Sequence, residues 1–161
     1  MIVYGLDPGL TGAIAVAVNG TLVDVVDLPV RLEGSGKVKK RLDAAVMAAM
    51  VREVRKQHGI DSELAIIERV ASMPRQGVAS VFSLGHTAGV VEAVMLTLGV
   101  RVHFVAPRVW KGAMGIGADK ADARARASLL YPAQAGMWPR VRDHNRAEAA
   151  MIAVYGWKKW A

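Results

Sequence analysis

Two acidic residues close short apolar runs in matching contexts. Asp7 follows Ile2–Leu6 and precedes Pro8-Gly9-Leu10-Thr11-Gly12, while Glu68 ends the run Leu64–Ile67. Apolar runs of this length read as buried strands, so each carboxylate is expected to project from a strand end. On adjacent parallel strands the two carboxylates come within a few ångströms of each other, and like charges held that close call for a divalent cation. A lone aspartate before Pro-Gly serves to shape a turn. The matched pair favours metal binding, because glutamate is an unusual residue with which to finish a buried strand.

A second acidic group lies near the C-terminus, in Arg142-Asp143-His144-Asn145-Arg146-Ala147-Glu148-Ala149-Ala150. At about 100° of rotation per residue, His144 and Asn145 share a helical face with Glu148, whereas Asp143 does not. Asp143 fits either as a residue just ahead of the helix, free to turn towards a metal, or as the helix N-cap. Glu148 sits among Ala147, Ala149, Ala150 and Met151, small or apolar neighbours beside which a carboxylate requires a cation.

The elements that must position these groups follow from the sequence pattern. Ile2–Leu6, Ala13–Val18 and Thr21–Asp27 read as three meandering strands, the last two joined by Asn19-Gly20, a strong hairpin signal. Leu42, Val46, Met50 and Val54 recur every fourth residue and predict one buried face of a helix running from Leu42 to about Gln57, stopped by Gly59. Leu64–Ile67 is the next strand and Val78–Leu98 a long helix. In that helix Gly85 and Gly89 lie four residues apart and admit a close backbone, either within the chain or across a subunit interface. Val100–Val105 is a further strand, Pro107–Lys111 a helical turn, Asp119–Leu130 a helix, and Asn145–Trp157 the last helix. The order β-β-β-α-β-α-β-α-α predicts an α/β fold of the ribonuclease H-like kind: a mixed five-stranded sheet, three antiparallel strands and then parallel ones, with helices on both faces.

The 161 residues suit one compact domain spanning 1–161. The net charge of +7 favours a polyanionic partner. Its basic residues gather in the loop Lys37, Lys39, Lys40 and Arg41, which reads as a solvated turn or a nucleic-acid grip, and in Lys120 and Arg124, one helical turn apart, which suit phosphate contact. No cysteine is present, so no disulfide or zinc–thiolate site holds the fold. No apolar stretch such as Ala13–Val18 approaches the roughly 20 residues that span a bilayer, and no signal peptide is visible. These features predict a soluble, cytoplasmic protein without a membrane partner.

Several stretches together resemble the RuvC-type Holliday junction resolvases of bacteria and their phages. They are Tyr4–Gly12, Ala65–Val70, Leu84–Val90, Ala106–Lys111 with Gly115-Ile116-Gly117, and Arg146–Ala149, in that order from the first strand to the last helix. The ordered set is specific where no single stretch is. The resemblance implies a homodimeric endonuclease that cuts four-way and other branched DNA with two Mg²⁺ ions per site, for which Mn²⁺ substitutes. Asp7, Glu68 and Glu148 would then be catalytic metal ligands, and Lys111 and Lys120 would lie near the scissile phosphate or the DNA backbone. Family members place an acid or a histidine one turn before the last carboxylate. Here that position is Asn145, so Asp143 is assigned as the fourth ligand, with His144 as its substitute. Relatives also carry an aromatic wedge soon after the second acid, where this chain has Ala71 and then Met73.

Rival readings come from other classes. A phosphate-binding actin-like or sugar-kinase-like module also uses Asp7-x-Gly9-x-Thr11-Gly12, but needs a second domain of similar size. A non-catalytic DNA-binding protein would not need the acids. Within the nucleases, a ribonuclease acting on RNA–DNA hybrids or structured RNA shares the same site.

Overall fold

A computed structural model describes the whole chain apart from residues 34–39, 60, 72–75, 118 and 161. Its strands are β1 (Ile2–Asp7), β2 (Ala13–Val18), β3 (Thr21–Asp27), β4 (Val30–Leu32), β5 (Lys40–Leu42), β6 (Glu63–Glu68) and β7 (Arg101–Val105). The helices are α1 (Ala44–His58), α2 (Val78–Thr97), α3 (Pro107–Met114), α4 (Lys120–Leu130) and α5 (His144–Trp160), with short 3-10 segments at Pro132–Met137 and Val141–Asp143.

The main sheet has the order β3-β2-β1-β6-β7. Strand β1 pairs antiparallel with β2 and parallel with β6, and β7 continues parallel to β6. This is the expected ribonuclease H-like arrangement. Asn19 and Gly20 both adopt positive φ (47° and 82°), the geometry that lets a two-residue turn match the twist of β2 and β3. The small ribbon of β4 and β5 is an addition that the sequence pattern does not announce.

Alternation along the strands divides the core in two. Val3, Ala13, Ala15, Leu64 and Ile66 face α5 together with Trp110 of α3 and Ala123 and Ala127 of α4. Tyr4, Leu6, Ile14, Val16 and Ile67 face the other way, onto Met47 and Val51 of α1 and Val91, Val94 and Met95 of α2. The buried stripe of α1 therefore differs from the expected one, since Val46 is 46% exposed. Leu42 lies in β5, paired with Val30, and Asp43 caps the helix by accepting from the Ala45 and Val46 amides. The buried face runs through Met47 and Val51, with the expected Met50 and Val54 partly buried beside them.

Helix α5 lies unusually close to the sheet. A Cβ at Gly5 would collide with the backbone of Ala149 and Ala153, and one at Gly156 would meet Val3 and Ile66. Ala147, Ala149, Ala150 and Ala153 are fully buried. Small residues on both surfaces thus let a helix backbone rest on β1, and this brings the first turns of α5 to the end of β1 where Asp7 stands.

Candidate metal centre and its family

Register determines the first two acids. The last recorded pairs between β1 and β6 include Leu6 with Ile67, so Asp7 and Glu68 follow at the ends of neighbouring parallel strands. By alternation both side chains point to the α5 face, along with Val3, Leu64 and Ile66. The turn after Asp7 is compact: the Gly12 amide donates to the Gly9 carbonyl, and a Cβ at Gly12 would strike the Asp7 carbonyl. Glu148 reaches the same place from α5.

Electrostatics show how closely the three acids interact. Burial pushes the Asp7 carboxyl up to about 8, with the charges of Glu148 and then Glu68 adding to the rise and that of Lys111 opposing it. Burial also raises Glu68, against a hydrogen bond from Trp110 that lowers it. Trp110 Nε1 donates to Glu68 Oε2 at 2.6 Å, and Lys111 Nζ donates to Glu148 Oε1 at 2.6 Å. Consecutive residues of α3 thus engage two of the three acids. Pro107 at the start of α3 and a left-handed Gly115 at its end keep this helix short.

Asp7, Gly9, Thr11, Lys111, His144, Asn145 and Glu148 line an open cleft of about 560 Å³. Asn145 Nδ2 donates to the Thr11 carbonyl at 2.6 Å, tying α5 to the β1–β2 turn, and Arg146 grips Asp27 through Nε (2.6 Å) and Nη2 (2.8 Å). These two contacts fix where α5 begins relative to β1 and β3.

The assignment of Asp143 as fourth ligand is corrected by its surroundings. Asp143 is buried and belongs to the 3-10 turn before α5, where its carboxylate accepts from the Arg140 guanidinium (2.7 Å from Nη2) and the Arg140 amide (2.9 Å). The Arg140 side chain holds its carboxyl down to about 2. It is committed to this turn and does not line the cleft, whereas His144 and Asn145 do.

The basic candidates are dispersed. Arg41 on β5 pairs with Glu33 at 3.2 Å and lies 3.2 Å from His86 Nε2, while Lys40 is exposed beside it. Lys120 opens α4, and Arg124 on the same helix extends towards the Pro139 carbonyl at 3.4 Å. Lys37 and Lys39, like Met73, lie outside the described residues. Trp110 is a site residue that sequence reasoning misses: its value as an indole donor follows only from its burial against Glu68.

A divalent cation fits these residues. Among the described residues no group of three acids or histidines is already gathered around one point, since Glu148 is turned to Lys111 and Glu68 to Trp110. Even so, three carboxylates face a single ammonium, and all are hard oxygen donors of the kind Mg²⁺ and Mn²⁺ take.

Comparison with known proteins places this geometry in a family. The family profile described as crossover junction endodeoxyribonuclease RuvC matches residues 3–153. The crossover junction endodeoxyribonuclease RuvC of Mycobacterium leprae (strain TN) is 33% identical over 163 residues, covering 96% of this chain and 80% of that protein. Among solved structures, Thermus thermophilus RuvC matches with a TM-score of 0.56 at 22% identity, over 96% of this chain and 92% of that one. The same protein in complex with a Holliday junction substrate matches with a TM-score of 0.58 over the same shares. The yeast mitochondrial Holliday junction resolvase Ydc2 matches with a TM-score of 0.56 at 12% identity, over 97% of this chain and 77% of that one. The structural likenesses establish a shared fold, and the sequence matches establish descent: the chain belongs to the RuvC family of crossover junction endodeoxyribonucleases.

Proposed function

We propose that this protein is a divalent-metal-dependent endonuclease that resolves four-way DNA junctions and cuts related branched DNA. What supports the reading is the charge coupling of Asp7, Glu68 and Glu148, drawn from β1, β6 and α5, in a RuvC-family chain. Asp7, whose carboxyl feels the charges of both other acids, would be a ligand to the metal. Glu68, held by Trp110, and Glu148 are the other two, and His144 takes the fourth position that Asp143 does not fill. When bound, two Mg²⁺ or Mn²⁺ ions supply Lewis-acid polarisation of the phosphodiester and a water nucleophile at neutral pH. In the hydrolysis the water oxygen bonds to phosphorus and the bond to the 3′-oxygen breaks. The protein's own work is to hold the acids rigidly on strand ends and a tightly packed helix, and to offer cations to the DNA backbone.

Lys111 at the cleft, Lys40 and Arg41 on β5, and Lys120 and Arg124 on α4 are the phosphate contacts of this reading, to which Lys37 and Lys39, outside the described residues, are added by their sequence alone. They supply affinity rather than sequence selection. The enzyme acts as a homodimer through the outer part of α2, in the cytoplasm of a bacterial or phage-infected cell. Val78 (86% exposed), Phe82 (67%) and Leu96 (53%) leave that helix with an uncovered apolar surface, and Gly85 and Gly89 face open space. Although α2 is long and apolar enough to cross a bilayer by composition, Thr87, Ala88, Val91, Val94 and Met95 bury its other side in the protein. Two copies would present two clefts to one junction.

The test is a side-by-side assay of a synthetic four-way junction, a flap, plain duplex and an RNA–DNA hybrid in Mg²⁺ and in Mn²⁺. Paired nicks in the junction, with the plain duplex spared, are expected. Cleavage of the hybrid alone would replace this reading with a ribonuclease, and binding without cleavage of any substrate would leave a DNA-binding protein.

A further inference from the structure

Helix α3 contacts two of the three acids through consecutive residues whose situations differ. Trp110 is fully buried, and its indole N–H donates to Glu68 away from solvent. Lys111 keeps 22% of its side chain exposed at the mouth of the cleft, and its ammonium bonds the inner Glu148 at 2.6 Å. Its Nζ also lies 5.3 Å from the centre of the Trp110 ring, which gives it a second, weaker resting contact. A buried carboxylate beside two others is costly as an anion unless a cation is paired with it. Here Lys111 is the cation that meets that need.

We infer that Lys111 is a built-in counter-ion that holds Glu148 until a divalent ion displaces it, so that metal binding frees the lysine for a DNA phosphate at the cleft mouth. The inference rests on the proposed assignment of Glu148 as a metal ligand. The two occupants compete for the same carboxylate, so the pairing lowers metal affinity in the DNA-free protein. Because coupling between sites is reciprocal, a phosphate that draws Lys111 away strengthens metal binding in turn. Trp110 remains in place throughout, so only one of the two α3 contacts is exchanged.

The experiment is Mg²⁺ binding by calorimetry, without DNA, to the full-length parent, Lys111→Met and Lys111→Gln. Lys111→Met removes the ammonium facing the acids and is expected to bind Mg²⁺ about tenfold tighter, with Lys111→Gln also tighter than the parent. In the parent, the Lys111 ammonium ¹H–¹⁵N signal is expected to be protected before Mg²⁺ and to broaden or shift on saturation, a readout that needs no stable variant. If the parent binds Mg²⁺ while Lys111→Met binds equally or more weakly, or the Lys111 signal is unchanged at saturation, the exchange is wrong and the metal site stands. Absence of Mg²⁺ binding by parent and variants alike would overturn the metal assignment as well.

Discussion

Strand β6 begins and ends on a glutamate, and the two ends show what separates a structural carboxylate from a functional one. At the start, Glu63 is buried but saturated: Arg55 donates from Nε to both its oxygens at 3.0 Å and from Nη2 as well, and the Tyr4 hydroxyl adds a bond of 2.8 Å. Arg55 itself is raised by its bond to Glu63 and also donates to the Leu98 carbonyl at 2.7 Å, so charge and hydrogen bonds close on each other. At the other end, Glu68 stands beside Asp7 and Glu148, and among the described residues one ammonium, that of Lys111, serves the three acids. One end resolves its charge within the protein and the other leaves it for something from outside. Strand position and burial alone do not distinguish them; the surrounding cations do.

The largest effect expected from this contrast is on chemistry. Asp7→Asn removes the central acid and lowers junction cleavage in Mg²⁺ by about 10³-fold or more, as gel assays of nicking would show, while binding of the junction persists. Glu63→Ala acts on stability instead. Stranding the Arg55 guanidinium, with 17% of its side chain exposed, costs about 3 kcal/mol or more and lowers Tm by roughly 6–12 °C, with cleavage by the folded fraction unchanged. A loss of cleavage equal to that of Asp7→Asn would erase the distinction.

A smaller effect has the opposite sign. The Asp7 carboxyl is raised from 3.8 in the unfolded chain to about 8 in the folded one, so its contribution to stability is fully present below about pH 4 and is lost as pH rises through about 8. Asparagine has no such dependence. Metal-free Asp7→Asn therefore melts higher than the parent at pH 8, by several °C at about 2–4 °C per kcal/mol, and the gain shrinks towards pH 4. Calorimetric scans across that range check it, and a parent with equal or higher Tm at pH 8 would contradict it. The smallest contrast concerns the fourth position. Asp143→Asn weakens the turn around Arg140 by about 1–2 kcal/mol with Mg²⁺ affinity unchanged, whereas His144→Ala lowers that affinity about tenfold.

Much of this was legible in the sequence, for reasons that individual residues make clear. The Asn19-Gly20 turn and the apolar runs before Asp7 and Glu68 carry local, period-two information, and the sheet followed from them. The small and apolar residues around Glu148 marked it as a carboxylate in need of a cation. Three features were not local. Asp143 looked available until Arg140, three residues away, folded onto it. Trp110 gained its role from a strand 42 residues distant. The buried face of α1 centres on Met47 and Val51, residues outside its four-residue rhythm, because β6 and α2 lie on that side. Each of these depends on a partner whose position only the folded chain supplies.

The most direct test of the central claim is an anomalous-scattering map from crystals of the protein grown with Mn²⁺. The account predicts density for bound Mn²⁺ within coordination distance of Asp7, Glu68 and Glu148, with Lys111 withdrawn from Glu148. Saturating Mn²⁺ that leaves this cleft without a peak, or binds at Asp143 instead, would contradict it.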